Sequence, residues 1–417
     1  MAENQYRNTR HAAAPTLAGT STHVCWKVGQ TVSISLHHKS CSGPAVPQMI
    51  ATTPQIPVGI PTDLLGSPTD LPLPTHRKAL ALLESYFRTV NRLLPIYDKS
   101  HYLTLLRAQY RNGGCNSVIV WASLNAAFAL GSAYSSRGLC GRDPLSRTYF
   151  QQVTSVLNQI LLSEPTLLSI QTILTTAIFL LKCRDHHASR LLVSAAMRFC
   201  QSLRFHAHST VKGLPVEIRE SQERAFWVTF ILDQSIALIV GHMPTQDPND
   251  MDVDLPKAET KQPIDQLSDE QLQDHHFRQL AGLAVVRCRV FRQLYSEAGL
   301  HTSKSDLNHN IRHLNGLLAL WKSHNPFLSS HQSLRSNDDF AFMQRLTYCN
   351  TLILINQRYL SNDPVPLIDS EQQPLVIQVC IEAAWDSIDL SIAAVSTGAD
   401  CIGYVLYRIS PVGAVIS

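Results

Sequence analysis

No two of the ten cysteines are spaced as a compact metal or disulfide knot requires. Cys25, Cys41, Cys115, Cys140, Cys183, Cys200, Cys288, Cys349, Cys380 and Cys401 are scattered, and no pair is separated by only two residues. That spacing in a chain of 417 residues excludes a small disulfide scaffold. Reduced and mostly buried thiols are the expectation. Charge of one sign is also missing: 35 basic residues face 32 acidic ones, a formal balance of +3. No run of Lys or Arg stands out, so charge gives no case for a direct grip on nucleic acid. Residues 1–20 lack the apolar stretch of a secretory signal. No Gly-x-Ser-x-Gly elbow, Walker loop, dinucleotide fingerprint or His-Glu-x-x-His pair occurs. Strands and helices do not alternate, which excludes a doubly wound sheet, and no fixed-period repeat is present.

What is present is apolar material in helical rhythm. Hydrophobic residues make up 45% and charged ones 16%, enough for a substantial core. Residues 1–74 stand apart, holding nine of the 22 prolines among Ser, Thr and Gly. They read as a mostly disordered leader. Val24, Trp26 and Val28, then Val32, Ile34 and Leu36, alternate as a hairpin would, but two strands alone are barely stable.

From Thr75 the period becomes 3.6. Leu80, Leu83, Phe87, Val90 and Leu94 mark a first helical face, stopped by Pro95. A second helix carries Tyr102, Leu105 and Leu106 and ends at Gly113-Gly114. Further helices are expected at 118–135 (capped by Ser117), from Asp143-Pro144 to 162, from Pro165 to 183, and at 187–203, 216–240, 267–297, 307–323, 337–360 and 372–397. In the helix at 187–203, Leu191, Leu192, Ala195, Ala196, Phe199 and Leu203 are expected to face inward. The fold class expected is all-α, a multi-helix domain of antiparallel helix pairs behind the leader. The division is leader 1–74, helical domain 75–360, and a C-terminal helix and tail 361–417. The end after Arg408-Ile409-Ser410-Pro411 fits a shortened product as well as a natural one. Two charge-free stretches, 116–136 and 165–181, carry too many small and polar residues for a bilayer span and read as core helices.

One helix carries Phe226, Trp227, Phe230 and Ile231 together, a wide apolar stripe that reads as core packing. Asp233 shares that face and needs a partner if buried. Arg198, Arg204, Arg219 and Arg224 are the candidates. Gly241 reads as a helix cap. Asp250, Asp252 and Asp254 alternate with Met251, Val253 and Leu255 in an extended segment closed by Pro256. Calcium is disfavoured there, because Leu255 and Lys261 stand where such a loop needs Gly and Glu. Cys183 with His186-His187, and His275-His276, offer no complementary zinc ligands, so solvated or capping histidines are expected. Asp338-Asp339 invites comparison with the magnesium-holding acids of terpene cyclases. No second metal motif accompanies it, and helix capping explains it.

Three stretches resemble the fungal-specific transcription factor domain, the middle homology region of fungal zinc-cluster regulators. The first is Leu94-Pro95-Ile96-Tyr97-Asp98. The second joins Ser169-Ile170-Gln171-Thr172-Ile173-Leu174 to Ser194-Ala195-Ala196-Met197-Arg198-Phe199-Cys200-Gln201-Ser202-Leu203. The third and most specific runs through Glu223-Arg224-Ala225-Phe226-Trp227, Ile231-Leu232-Asp233, Gly241-His242-Met243-Pro244 and Met251-Asp252-Val253-Asp254-Leu255-Pro256. In that reading Arg224, Phe226, Trp227, Asp233, Gly241, Pro244, Asp252, Asp254 and Pro256 form a structural signature. The chain departs from the pattern at Gln222-Glu223-Arg224, where a basic triplet is usual, at Gln234 in place of Arg, and at His242-Met243 before Pro244.

The resemblance implies a nuclear transcription regulator of a metabolic or secondary-metabolite gene cluster. Its partners would be other regulators or promoter-bound proteins, with a small-molecule effector as an option and no membrane. Such domains generally follow a six-cysteine zinc cluster. Only Cys25 and Cys41 precede the helical core here, and two ligands cannot close even one tetrahedral site. DNA contact is therefore expected to be indirect or weak. No catalytic residue, cofactor or metal is expected. An all-α enzyme of the terpene cyclase type, or a decayed regulator fragment, are the alternatives.

Overall fold

A computed structural model describes residues 73–111, 117–135, 143–207, 213–258, 266–329, 339–359 and 373–397. Residues 1–72 of the leader with its hairpin, Cys25 and Cys41, the Gly113-Gly114 stop, Lys261, Asp338 and the tail from 398 lie outside them. The described chain is all-α, 82% helical with no strand.

Helix α1 (His76–Leu93) buries Ala79, Leu82, Leu83, Tyr86, Phe87 and Val90. Of the expected inward face, Leu83, Phe87, Val90 and Leu94 are buried, and Leu80 sits at its exposed margin, 36% accessible. In α2 (Lys99–Arg111), Tyr102 meets Phe87 of α1 edge-on. Helix α3 (Val118–Ser135) is long and apolar enough to cross a membrane by length and composition alone. In this structure it is packed against α1, α4 and α5, and everything from Ala122 to Tyr134 is buried.

Helix α4 (Pro144–Leu162) starts as its sequence requires. Asp143 accepts from the backbone N–H of Leu145 and Ser146, and Pro144 fills the first helical position. Helix α5 (Leu167–Lys182) begins two residues after Pro165, at a reciprocal capping box between Thr166 and Ser169. A three-residue link turns the chain into α6 (His186–Ser202), with Arg184 at φ 64°. On α6 the buried side is Leu192, Val193, Ala196, Met197 and Cys200, while the expected inward Leu191 is 52% exposed.

Helix α7 (Val216–Val240) is buried all round from Ala225 to Leu238. Helix α8 (Asp269–Val290) is capped by Ser268 and Gln271 and continues as a π-turn through Phe291–Tyr295. After a short turn, α9 (Lys304–Ser323) packs Leu307, Ile311, Leu314 and Leu318 inward. Helices α10 (Asp339–Asn356) and α11 (Gln373–Thr397) pack against each other at the C-terminal side. The main core is built from α1 to α8 with the start of α10. A second cluster, around Leu283, Val290, Ile311, Leu318 and Trp321, joins α8, α9 and the end of α10.

Candidate functional site

The third signature stretch folds as a helix with a strap. Gly241 ends α7 in the left-handed region, at φ 71° and ψ 28°, and its N–H reaches the Ala237 carbonyl. The chain then turns back along α7 and α6 as far as Pro256. A short 3-10 turn at Pro248–Asp250 is followed by extended backbone. In that stretch Val253 is buried while Asp252 and Asp254 are exposed, as the alternation required.

Two signature residues on α7, Trp227 and Asp233, each hold a point on the strap. The Trp227 indole N–H donates to the Asp254 carbonyl at 2.8 Å. Its ring lies edge-on to Phe226 and Phe230 in the main core. Asp233 is 5% exposed, and its Oδ2 accepts from the backbone N–H of Thr245 at 2.8 Å and of Gln246 at 3.2 Å. Burial raises its carboxyl to about 6, and the two amides with the field of Arg198 restrain the shift. The expected arginine pair is thus corrected. Asp233 binds two peptide N–H groups, and the Arg198 guanidinium donates to Gln201. At the far end, Arg278 on α8 donates to the Pro256 carbonyl at 2.7 Å. Asp252 donates its N–H to the His206 carbonyl at 3.1 Å. Arg224 and Pro244 are both half-buried, and burial raises the carboxyl of Asp274 on α8 while the Arg224 charge restrains the shift.

Sequence reasoning missed the polar hub of this strap. Gln246 is 2% exposed. Its amide donates to the carbonyls of Asp247 and Asp250 and accepts from Gln201 on α6. Thr245 donates to Ser194, also on α6, at 3.0 Å. A lone Gln in an irregular segment has no periodicity to reveal it. The other two signature stretches meet in the same way. Asn91 brackets the turn after α1, accepting from the N–H of Tyr97 and donating to its carbonyl. Gln171 on α5 donates to the Ile96 carbonyl at 2.7 Å, and Thr175 donates to the Tyr97 hydroxyl. The first stretch is therefore bonded to the second, and the second to the third.

Among the described residues, no group of three or more His, Cys, Asp or Glu is placed to hold a metal. His276 is fully buried between Phe327 and Phe340, with Gln344 donating to its Nδ1 at 3.0 Å. Burial, then the nearby Arg92 charge, holds its imidazole down to about 3. Asp339 opens α10 and pairs with Arg92 at 3.7 Å, while Arg92 also binds Asp269 at 2.6 Å. That arrangement ties α1 to α8 and α10. A cleft of about 270 Å³ opens between α4, α5 and α6, lined by Phe150, Leu157, Leu161, Leu180, Leu191 and Ala195. The Thr154 and Thr176 hydroxyls on its wall donate to their own helices, so the cleft presents an apolar face.

The sequence model of the fungal specific transcription factor domain matches residues 83–339, more than half of the chain. An ABC-transporter-regulating transcription factor of Aspergillus oryzae is 28% identical over 85% of this chain and 42% of its own length. Its namesake in Aspergillus fumigatus is 27% identical over the same shares. An uncharacterised transcriptional regulatory protein of Schizosaccharomyces pombe is 22% identical over 76% of this chain and 50% of its own. The chain thus spans half or less of the length of these relatives. No solved structure matches. With the family's sequence model covering the chain from within α1 to the start of α10, the chain belongs to the fungal specific transcription factor domain family.

Proposed function

We propose that this chain regulates a fungal metabolic, transporter or secondary-metabolite gene set from the nucleus, through partner proteins and without catalysis. The single observation that carries the reading is the clamp itself. Trp227, Asp233, Gln246 and Gln171 each meet backbone or side-chain groups of the same domain. The chemistry-bearing residues of the signature are therefore committed to holding α5, α6, α7 and the strap in register. What such a domain offers is a rigid surface for other regulators or promoter-bound proteins. The signature residues Arg224, Phe226, Trp227, Asp233, Gly241, Pro244, Asp252, Asp254 and Pro256 serve this structural end, and residues 75–360 form the regulatory domain.

DNA contact is indirect or weak in this reading. Base edges specify sequence, and the chain holds no run of Lys or Arg to reach them. A small-molecule effector, where one acts, is apolar and enters the cleft between α4, α5 and α6. The relatives' printed names make transporter genes a natural target class. Gel-shift titration of the purified full chain on its candidate promoters tests the proposal. The expected result is weak, salt-sensitive binding without sequence preference, together with altered transcription when the chain is tethered to a reporter promoter through a foreign DNA-binding domain. A sharp complex on one promoter with weak salt dependence overturns it.

A further inference from the structure

Helices α1 and α2 carry more positive charge than their surroundings neutralise. From His76 to Arg111, seven Lys or Arg residues stand against two acids. Both acids are engaged locally: Glu84 pairs with Lys99 at 3.1 Å, and Asp98 accepts the N–H of His101 at 2.7 Å. Arg92 is engaged as well, by Asp269 and Asp339. That leaves Arg77, Lys78, Arg88, Arg107 and Arg111, all exposed. None of these five makes an ion pair among the described residues. The fold brings them together. The two helices run antiparallel, so His76 at the start of α1 meets Tyr110 at the end of α2, with ring centroids 5.0 Å apart. Arg77 and Lys78 follow His76 directly, and Arg107 and Arg111 lie within one turn of Tyr110. Arg88 is eleven residues on from Arg77, about three turns along the same side of α1. The sequence keeps Arg77 and Arg107 thirty residues apart, which is why no run of Lys or Arg announces the surface.

We propose that this surface binds the phosphate backbone of duplex DNA. The inference rests on the weak, sequence-independent DNA contact proposed above and names the residues that make it. Phosphate contacts fix position without reading bases, so such a surface gives affinity without sequence preference. Guanidinium groups suit the purpose, because each can give two parallel hydrogen bonds to one phosphate. An acidic protein segment is the competing occupant. Protein partners draw most of their affinity from aromatic and apolar anchors at the centre of a contact. Among the described residues of α1 and α2, Leu80 is the one large apolar side chain that is exposed, at 36%. The other exposed positions are small, polar or charged. A face with charge and no anchor fits a phosphate chain better than a peptide.

The test is a fluorescence-anisotropy titration of the full chain on a labelled duplex of arbitrary sequence, repeated from about 50 to 200 mM salt. Phosphate contacts by the five residues, at about −0.9 each, give an expected log–log slope of about −4.5. Arg107→Gln with Arg111→Gln is expected to bring the slope to about −2.7 and to weaken binding about ten- to a hundredfold near 0.1 M salt. Arg107→Lys with Arg111→Lys retains the charge and is expected to retain the slope. Arg312→Gln, at an exposed position on α9, is expected to leave slope and affinity unchanged. An unaltered slope in the Gln pair overturns the proposal, as does a parent chain that binds no duplex at about 50 mM salt. So does polyglutamate that displaces the duplex at a lower charge concentration than unlabelled duplex requires, which assigns the surface to an acidic protein segment. If the Gln pair fails to fold, Arg77→Gln with Lys78→Gln at the start of α1 replaces it, with the same slope expected. All these outcomes are distinct from the one that overturns the proposed function, a sharp complex on one promoter with weak salt dependence.

Discussion

Asp233 shows how a carboxylate earns a place among large rings. Its oxygen takes two peptide N–H groups that the turn after Gly241 would otherwise leave unpartnered. The group needed there is an acceptor, and the charge is incidental. Asp233→Asn keeps an acceptor and removes the buried charge, so it is expected to stay within about 1 kcal/mol of the parent at pH 7. Asp233→Ala strands both amides and is expected to cost about 2–4 kcal/mol. Urea unfolding of the three proteins measures the difference. A buried Asp–Arg pair predicts another order, because breaking it by either substitution costs about 3–5 kcal/mol. Equal, large losses in both variants would therefore restore the arginine partner.

At the scale of elements, the crossing of α1 and α3 turns on one missing side chain. A Cβ at Gly131 would lie 2.1 Å from the Leu82 carbonyl oxygen, with backbone on both sides and nothing flexible to move. Gly131→Ala is expected to cost about 3 kcal/mol or more, the upper end of overpacking. Gly316 on α9 is the control, since a Cβ there meets nothing within 4 Å. Gly316→Ala is expected to stabilise by about 0.5–1 kcal/mol through helix propensity. Thermal unfolding of both variants reads the contrast, and a Gly131→Ala protein as stable as the parent would remove the close crossing. The sequence hid this contact for a physical reason. Helix α3 is buried on every side, so no polar face marks which residues touch which neighbour. Amphipathic α9 was legible, beginning three residues before its expected start. The start at Asp143-Pro144 was legible too, because a cap leaves a local signature. Trp227 and Asp233 could be read as a buried seam from periodicity. Their partners Asp254, Thr245 and Gln246 could not, because contacts made through backbone groups carry no side-chain code.

For the whole molecule, two buried titratable groups pull stability in opposite directions with pH. His276 is held neutral, its imidazole depressed from 6.5 to about 3. The unfolded chain takes up that proton near 6.5 while the folded one refuses it. The stability this gives is complete above 6.5 and is lost as pH falls, at about 1.4 kcal/mol per unit. Asp233 works the other way, its carboxyl raised from 3.8 to about 6. The folded chain takes that proton first, so its contribution is complete below 3.8 and is lost as pH rises through 6, at the same rate of about 1.4 kcal/mol per unit. Between pH 6 and pH 4 the two slopes oppose each other and nearly cancel. Single substitutions expose them. His276→Asn keeps an acceptor for Gln344 and removes the titration. Relative to the parent, that variant is expected to gain about 2.5 kcal/mol on acidification from pH 6 to 4. Asp233→Asn is expected to lose about 2 kcal/mol over the same interval, and the double variant to run nearly parallel to the parent. Titration of the remaining carboxylates is common to all four proteins and drops out of the differences. Urea unfolding at pH 6, 5 and 4 measures them. If both single variants tracked the parent, neither group would be titrating from a buried site, and the packing assigned to α7 and α8 would be too tight.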